Sequence, residues 1–339
     1  MPNGGLTMAD SPLINLMRQF KEALLTAETD RVQAMTTRWL QLENRIEATI
    51  AALAEEMARR QATNEPVSQA ALFQLRRYQL LLTQIESELT LYQQFAATEI
   101  GDGQRDMAEL SIRQSAAAVN AAAQGVSVSF TRLPVGAVEN MVGALGNGSP
   151  LQSLLLNAAT KAVLVDDLTS ILIEATAVGR NPRKTAAAMK DSLAGGLNQA
   201  LKIARTEQLR VYREVSRRQY QLSGVVEGYY RLATRDTRTC AACLADDGQF
   251  YPLDRVMPAH PQCRCTMIPA VAGEPKPNWL KGHEWFLTLA ASNQRKILGN
   301  KRYEAWRDGQ FKFSDLAVVQ RNAVWSDSLQ VAPLKDLVN

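Results

Sequence analysis

All four cysteines of this 339-residue chain lie in one short segment, and they restrict its fold more than any other feature. They form the pairs Cys240-x2-Cys243 and Cys263-x-Cys265, and His260, one of two histidines, lies just before the second pair. Thiolate and imidazole groups at this spacing suit tetrahedral Zn²⁺, because a tight Cys-x2-Cys turn points two sulfur atoms at one ion. The segment is therefore predicted to fold as a metal-bound knuckle.

Five candidate ligands compete for the four positions of a tetrahedral site. We expect Cys240, Cys243 and Cys263 to bind, with either His260 or Cys265 as the fourth ligand. A closed site of this kind is structural, and it stabilises a lobe that is too small for a full core. Two alternatives stay open: buried thiols that pack a turn without metal, and, in an oxidised particle outside the cell, a disulfide between the two halves.

No enzymatic chemistry is predicted for the chain. A catalytic zinc needs an open position for water and a general base nearby, and no such base is recognised. The His-x-Glu element of zinc deaminases is absent, and His283-Glu284 lacks the second histidine of a metalloprotease helix. The glycine-rich run 146–150 lacks the Gly-Lys-Ser/Thr ending of a phosphate loop.

Two long helices are predicted before the cluster. The first covers 11–60, and Asn64-Glu65-Pro66 is expected to break it. Ser68 is expected to cap the second, which should end at Gly101-Asp102-Gly103, so that the two form an antiparallel hairpin. The hairpin is a packing element or an arm that docks a partner. Apolar residues recur at helical spacing on both helices: Trp39, Ile46, Ile50, Leu53 and Met57 on the first, and Leu75, Leu82, Ile85, Leu89 and Tyr92 on the second.

The remaining chain is predicted to be helical apart from the cluster. Helices are expected over 151–178 and 183–223, the latter opened by Pro182 and weakened at Gly195-Gly196. A small β-hairpin follows, with strands at 225–233 and 249–253 and a turn at Asp247-Gly248. Residues 269–278 are predicted to be a linker, and four tryptophans (Trp279, Trp285, Trp306 and Trp325) should anchor a small helical lobe in the tail.

The predicted fold class is mainly α, with a long helical hairpin, a helical body, a small β-hairpin Cys/His knuckle and a C-terminal helical tail. Three domains are expected: the hairpin over 1–110, a body over 111–268 with the knuckle at 225–268, and the linker and tail over 269–339. No apolar run is long enough to span a membrane, and Met1–Asp10 lacks the pattern of a signal peptide. We therefore expect synthesis and use in the cytoplasm, where cysteines stay reduced.

The net charge of +4 permits contact with DNA or an acidic partner without requiring it. Basic residues concentrate on the helix before the cluster, where they form a solvated face paired with Glu207 and Glu214 or, as an alternative, a phosphate-contacting face. A buried pair of Glu207 with Arg205 is a further hypothesis. These basic residues are Arg205, Arg210, Arg213, Arg217 and Arg218.

Two charged residues lie close to the cysteines in the sequence. Asp236 is expected to accept hydrogen bonds from backbone N–H groups of the knuckle, as an Asp in a turn often does. Arg264, between Cys263 and Cys265, is predicted to donate to a carboxylate, to a partner protein or to a DNA phosphate, or to be a surface charge.

The cluster and its flanks resemble the phage head morphogenesis family, the minor head proteins similar to protein F of phage Mu. The resemblance rests on the run 235–243 with its Asp and Cys-x2-Cys, the Asp247-Gly248 turn, and the ending 258–265 with His-Pro-x-Cys-Arg-Cys. The helical stretch Ile203-Ala204-Arg205-Thr206-Glu207 is similar to the family's helix before the cluster. The resemblance covers about residues 150–270.

The resemblance implies a minor capsid protein that acts in procapsid assembly and head morphogenesis at the portal vertex. Its implied partners are the portal protein, the scaffold and the major capsid protein, with phage DNA as a further contact. Its implied location is the capsid interior of the virion near the portal, after assembly in the host cytoplasm. The alternative is a DNA-binding protein that is packaged or ejected with the genome.

Overall fold

The computed structural model describes residues 11–63, 68–124, 128, 131–145, 148–151, 155, 158–178, 180–321 and 327–338. The helices of these ranges are α1 (Pro12–Ala62), α2 (Gln69–Gln74), α3 (Arg76–Ala122), α4 (Val135–Glu139), α5 (Ala158–Ala177), α6 (Pro182–Ser223), α7 (Ala241–Ala245), α8 (Gly282–Leu287), α9 (Ala291–Leu298), α10 (Asn300–Arg307) and α11 (Leu334–Leu337). The strands are β1 (Val226–Leu232), β2 (Phe250–Pro252), β3 (Thr266–Val271), β4 (Ala317–Gln320) and β5 (Ser328–Val331). The predicted mainly α fold class with a small β element at the cysteines is confirmed.

The chain divides into two compact units. Unit 1 comprises Met1–Glu28, Gly103–Gly148 and Thr206–Asn339, and unit 2 comprises Thr29–Asp102 and Ser149–Arg205. The sequence-based domains 1–110, 111–268 and 269–339 stay a prediction. No helix of the described ranges combines the length and apolar character that crossing a membrane requires.

In unit 2, α1 and α3 form the predicted antiparallel hairpin. Arg45 and Glu88 form a bidentate ion pair across it, with N–O distances of 2.7 Å. The rings of Trp39 and Tyr92 meet edge to face with centroids 4.7 Å apart, a favoured geometry for buried aromatic pairs. Every residue of the predicted apolar face of α1 is buried, from Trp39 to Met57. Helical periodicity therefore located this face correctly.

The second helix differs from its prediction. Ser68 does cap a helix, since its Oγ accepts a hydrogen bond from the Ala71 N–H. However, that helix is the short α2, and α3 then runs through Gly101-Asp102-Gly103 to Ala122, so the predicted end is wrong. A Cβ at position 103 would lie 2.7 Å from Cδ of Gln208, so this glycine permits close approach of α6 in unit 1. The predicted break at 64–66 lies outside the described residues.

The C-terminal half of α6 forms the core of unit 1. α6 is one continuous helix that Pro182 opens, so Gly195-Gly196 does not interrupt it. Its side chains are buried on nearly every side between 203 and 220. Ser111 of α3 donates to the Tyr212 carbonyl oxygen over 2.9 Å, and the Tyr212 hydroxyl donates to Gln114 over 2.6 Å. These contacts make α6 a fixed support for the neighbouring sheet.

The sheet of unit 1 has the order β2-β1-β3, and both pairings are antiparallel. The predicted strands β1 and β2 and the Asp247-Gly248 turn are confirmed. The third strand was not predicted, and the expected linker over 269–278 is wrong at its start because β3 continues to Val271. Pro269 pairs with Tyr229 on this edge strand, where the missing N–H of a proline is tolerated.

The tail contains more than the predicted helices. Trp279 is buried, and Trp306 packs edge to face on Phe286 with centroids 5.2 Å apart. A two-stranded antiparallel sheet of β4 and β5, which was not predicted, lies among the helices of the tail. Trp325 lies outside the described residues.

Gly282, next to the knuckle, has no room for a side chain. A Cβ there would lie 2.8 Å from Cα of Leu244 and would also collide with the Leu244 carbonyl oxygen, so the backbone of α7 would have to move. We expect Gly282→Ala to destabilise the protein by about 1–3 kcal/mol. Gly195→Ala is the control: nothing lies within 4 Å of its Cβ, so it should stabilise α6 by about 0.5–1 kcal/mol. Urea unfolding measures both, and equal effects would contradict the prediction.

Candidate metal centre

Short structural elements present the candidate ligands to one another. Cys240 is the N-cap residue of α7, and its Sγ accepts a hydrogen bond from the Cys243 N–H over 3.3 Å. His260 and Cys263 lie on the loop between β2 and β3, and Cys265 directly precedes β3. Because β1 pairs with both strands, the sheet brings this loop back over α7.

The ligand atoms lie at distances that suit a metal ion. Nε2 of His260 is 3.2 Å from Sγ of Cys240 and 3.3 Å from Sγ of Cys243. The sulfur atoms of Cys243 and Cys263 are 3.8 Å apart. Tetrahedral zinc bonds place two sulfurs about 3.8 Å apart and a sulfur and a nitrogen about 3.5 Å apart. The five residues form two overlapping triads, Cys240-Cys243-His260 and Cys243-Cys263-Cys265, and Cys243 is common to both. Within each triad the ligand atoms lie within 4.8 Å of one another.

The second ring nitrogen of His260, Nδ1, is placed to hold the ring so that Nε2 can bind a metal. Nδ1 lies 2.7 Å from the carbonyl oxygen of Pro261. A proton on Nδ1 donates to that oxygen and leaves the Nε2 lone pair directed at the sulfurs. Burial lowers the pKa of His260, but the hydrogen bond to Cys240 and the charge of Cys263 outweigh it and raise the pKa to about 9. The contacts with the cysteine sulfurs therefore have a larger effect on the pKa of His260 than its burial has.

The loop between β2 and β3 carries His260 and Cys263 and is called the ligand loop below. Helix α6 holds this loop through contacts that the sequence did not reveal. Nη1 of Arg213 donates to the Cys263 carbonyl oxygen over 2.8 Å. Oγ1 of Thr206 accepts the N–H of Gln262 over 3.0 Å, and Gln262 has a φ of +63°, in the left-handed region that non-glycine residues seldom adopt. The helix before the cluster therefore fixes the backbone of the ligand loop.

Arg231 is the residue that sequence reasoning missed most plainly. It lies on β1 with a fully buried side chain, and its Nε is 2.6 Å from Oδ2 of Asp246. Nη1 faces the sulfurs of Cys243 and Cys263 at 3.8 and 3.9 Å, and Nη2 donates to the Pro258 carbonyl oxygen. A buried guanidinium beside sulfur atoms favours their thiolate form, but hydrogen bonds with Cys240 and Cys263 outweigh it at Cys243 and raise the pKa of that thiol.

Asp236 and Arg264 form a bidentate ion pair at the edge of the knuckle. The guanidinium donates to both carboxylate oxygens over 2.8 and 2.9 Å. Asp236 also accepts from the Arg238 N–H and the Thr239 hydroxyl, each over 2.9 Å. Burial raises the pKa of Asp236, but the hydrogen bonds from Arg264 and Thr239 outweigh it and lower the pKa to about 2.

The Asp236 pair predicts a dependence of stability on acid. Its folded-state pKa lies below the ordinary 3.8, so the carboxylate stabilises the fold above about pH 4, and this contribution is lost as the pH falls towards 2. We expect Asp236→Asn to lower the melting temperature at pH 7 and the difference from the wild type to shrink between pH 4 and 2. Asp308→Asn, which breaks an exposed pair with Arg307, is the control and should change little. A difference independent of pH would contradict this prediction.

The Asp247-Gly248 turn connects the knuckle to β1. Oδ1 of Asp247 accepts the Ala233 N–H over 2.8 Å, and the Gly248 N–H donates to the Arg231 carbonyl oxygen over 2.9 Å. Burial raises the pKa of Asp247. Lys21 of α1 donates to the Leu232 carbonyl oxygen over 2.8 Å, and burial lowers the pKa of this lysine to about 8. Asp247 and Gly248 therefore act on the backbone rather than on the ligands.

The basic stretch of α6 lies mainly against protein groups. Arg210 pairs with the buried Glu207 over 2.7 Å, while Arg217 and Arg218 share Glu214 at 2.8 and 2.7 Å. Arg213 is buried beneath the ligand loop. Arg205 is half-buried and ends the α6 segment of unit 2.

Residues 166–268 match the family described as Phage Mu protein F like protein. The matched range contains α6, the three-stranded sheet up to Ile268 and all five candidate ligands. This match confirms the family resemblance over that segment. No curated protein and no solved structure matches the chain.

Proposed function

We propose, from the premise that residues 166–268 are Phage Mu protein F-like, that the protein is a minor head protein of a phage. It acts in procapsid assembly and head morphogenesis at the portal vertex, without catalysing a reaction. Its partners are the portal protein, the scaffold and the major capsid protein, and its location is the capsid interior near the portal. The observation that carries this proposal is that the matched segment coincides with the knuckle and the α6 helix that supports it.

Within this function, the knuckle is a structural zinc site. The donor set fits the ion: imidazole and sulfur donors lie 3.2–3.8 Å from one another around the Cys-x2-Cys turn, with a buried guanidinium beside them. Zinc would supply crosslinks between α7 and the ligand loop, which stabilise a lobe with only a short sheet. Cys243, Cys263 and Cys265 are 1–2% exposed, so an ion among them would be screened from substrates. This enclosure supports a structural role over a catalytic one.

The test is co-expression with the portal, scaffold and major capsid proteins of the same phage. We expect the protein to co-purify with the portal and to be incorporated into procapsids in low copy number. Cys243→Ser should reduce incorporation, whereas Asp308→Asn at an exposed ion pair should not. Procapsids that form normally and exclude the wild-type protein would contradict the proposal.

The alternative of a DNA-binding protein packaged or ejected with the genome has less support. Arg210, Arg217 and Arg218 are paired with glutamates, and Arg213 is buried, so α6 offers few unengaged guanidinium groups to phosphates. DNA affinity that falls steeply with rising salt would favour this alternative, and no binding at low salt would exclude it.

A further inference from the structure

We infer that the metal ligands are Cys240, Cys243, His260 and Cys263, and that Cys265 lies outside the ligand set. This inference rests on the zinc site proposed above and assigns its ligand set. The distances around Cys243 carry it.

The distances favour His260 as a ligand. Nε2 of His260 lies within 3.3 Å of both sulfurs of the Cys-x2-Cys turn, where an ion bound by that turn would sit. Cys263 then completes the set, because its sulfur lies 3.8 Å from that of Cys243, the separation expected for two sulfurs on one zinc. Cys263 and Cys265 both share a triad with Cys243, and neither shares one with Cys240 and His260, so the 3.8 Å separation from the Cys243 sulfur is the observation that selects Cys263.

X-ray absorption at the zinc edge of the metal-loaded full chain tests the ligand set directly. We expect about three sulfur neighbours at about 2.3 Å and one nitrogen neighbour at about 2.0–2.1 Å. Four sulfur neighbours would overturn the ligand set but leave the zinc site intact. A chain that binds no zinc would overturn both proposals together.

Two variants provide an independent measurement. Cys265→Ala should retain about one zinc per chain and the same sulfur and nitrogen count. His260→Ala should bind zinc at least about 10-fold more weakly and, with Co²⁺ in its place, show a changed visible absorption spectrum. Loss of zinc from Cys265→Ala together with retention in His260→Ala would overturn the inference.

Discussion

Replacing Cys243 with serine should remove the metal and destabilise the protein by more than about 4 kcal/mol, because loss of a metal is among the few single changes that large. Cys243 is 2% exposed and belongs to both ligand triads. Its sulfur lies 3.3 Å from Nε2 of His260 and 3.8 Å from Sγ of Cys263, so no other ligand bridges the two halves in this way. Without it, the remaining thiolates and Arg231 would be buried with no ion between them.

Elemental analysis and urea unfolding of the full chain measure this effect. The wild type should contain about one zinc per chain, and Cys243→Ser should contain close to none and unfold at lower urea. Peptide-level hydrogen exchange should show lost protection in β1 and α7, with the peptide 39–57 of unit 2 as the internal reference. Cys265→Ala is the matched control, since it removes a buried sulfur outside the proposed ligand set. A folded, metal-free wild type would contradict the prediction.

The buried face of α1 and the grouping of the cysteines with His260 could be predicted because their signals are local. Helical spacing of apolar residues identified the buried face of α1 from Trp39 to Met57, and the Cys/His spacing located the candidate metal centre. Cys240 and Cys243 are three residues apart on one turn, so their proximity follows from sequence alone.

The features that were missed depend on contacts between distant segments. Gly103 looks like a helix end, but it lies inside α3, where the missing Cβ leaves room for the side chain of Gln208, far along the chain. Pro269 looks like the start of a linker, but an edge strand accepts it. These positions obey tertiary packing rather than local preference, so composition and periodicity misassign them.

Arg231 was missed for a related reason. An arginine in a strand usually extends to solvent, and nothing in the local sequence indicates that this one is fully buried. Its burial depends on Asp246 and on the sulfurs of Cys243 and Cys263, which β1 meets only in the folded sheet. The same holds for Arg213, whose acceptors are the carbonyl oxygens of Cys263 and Cys265.

Breaking the Arg231–Asp246 ion pair from either side should cost about 3–5 kcal/mol, because each single change leaves an uncompensated charge in the interior. Asp246→Asn leaves the fully buried guanidinium without its carboxylate, which lies 2.6 Å away in the wild type. It also weakens the hydrogen bond that the Tyr251 hydroxyl donates to Asp246 over 2.5 Å. Arg231→Met leaves the carboxylate and the thiolates of Cys243 and Cys263 without their cation.

The double variant Arg231→Met with Asp246→Asn should be less destabilised than the sum of the two single variants. Removing both charges leaves neither group of the pair buried without its counterion, and methionine fills most of the volume of the arginine stem. Urea unfolding of all four proteins gives the coupling energy, which we expect to exceed about 1.5 kcal/mol. A double-mutant cycle at the exposed ion pair of Arg295 and Glu304 is the control, and the coupling energy measured there should stay below about 1 kcal/mol. Additive costs at Arg231 and Asp246 would mean that the guanidinium is held by the sulfurs and the Pro258 carbonyl oxygen rather than by Asp246, and would contradict the prediction.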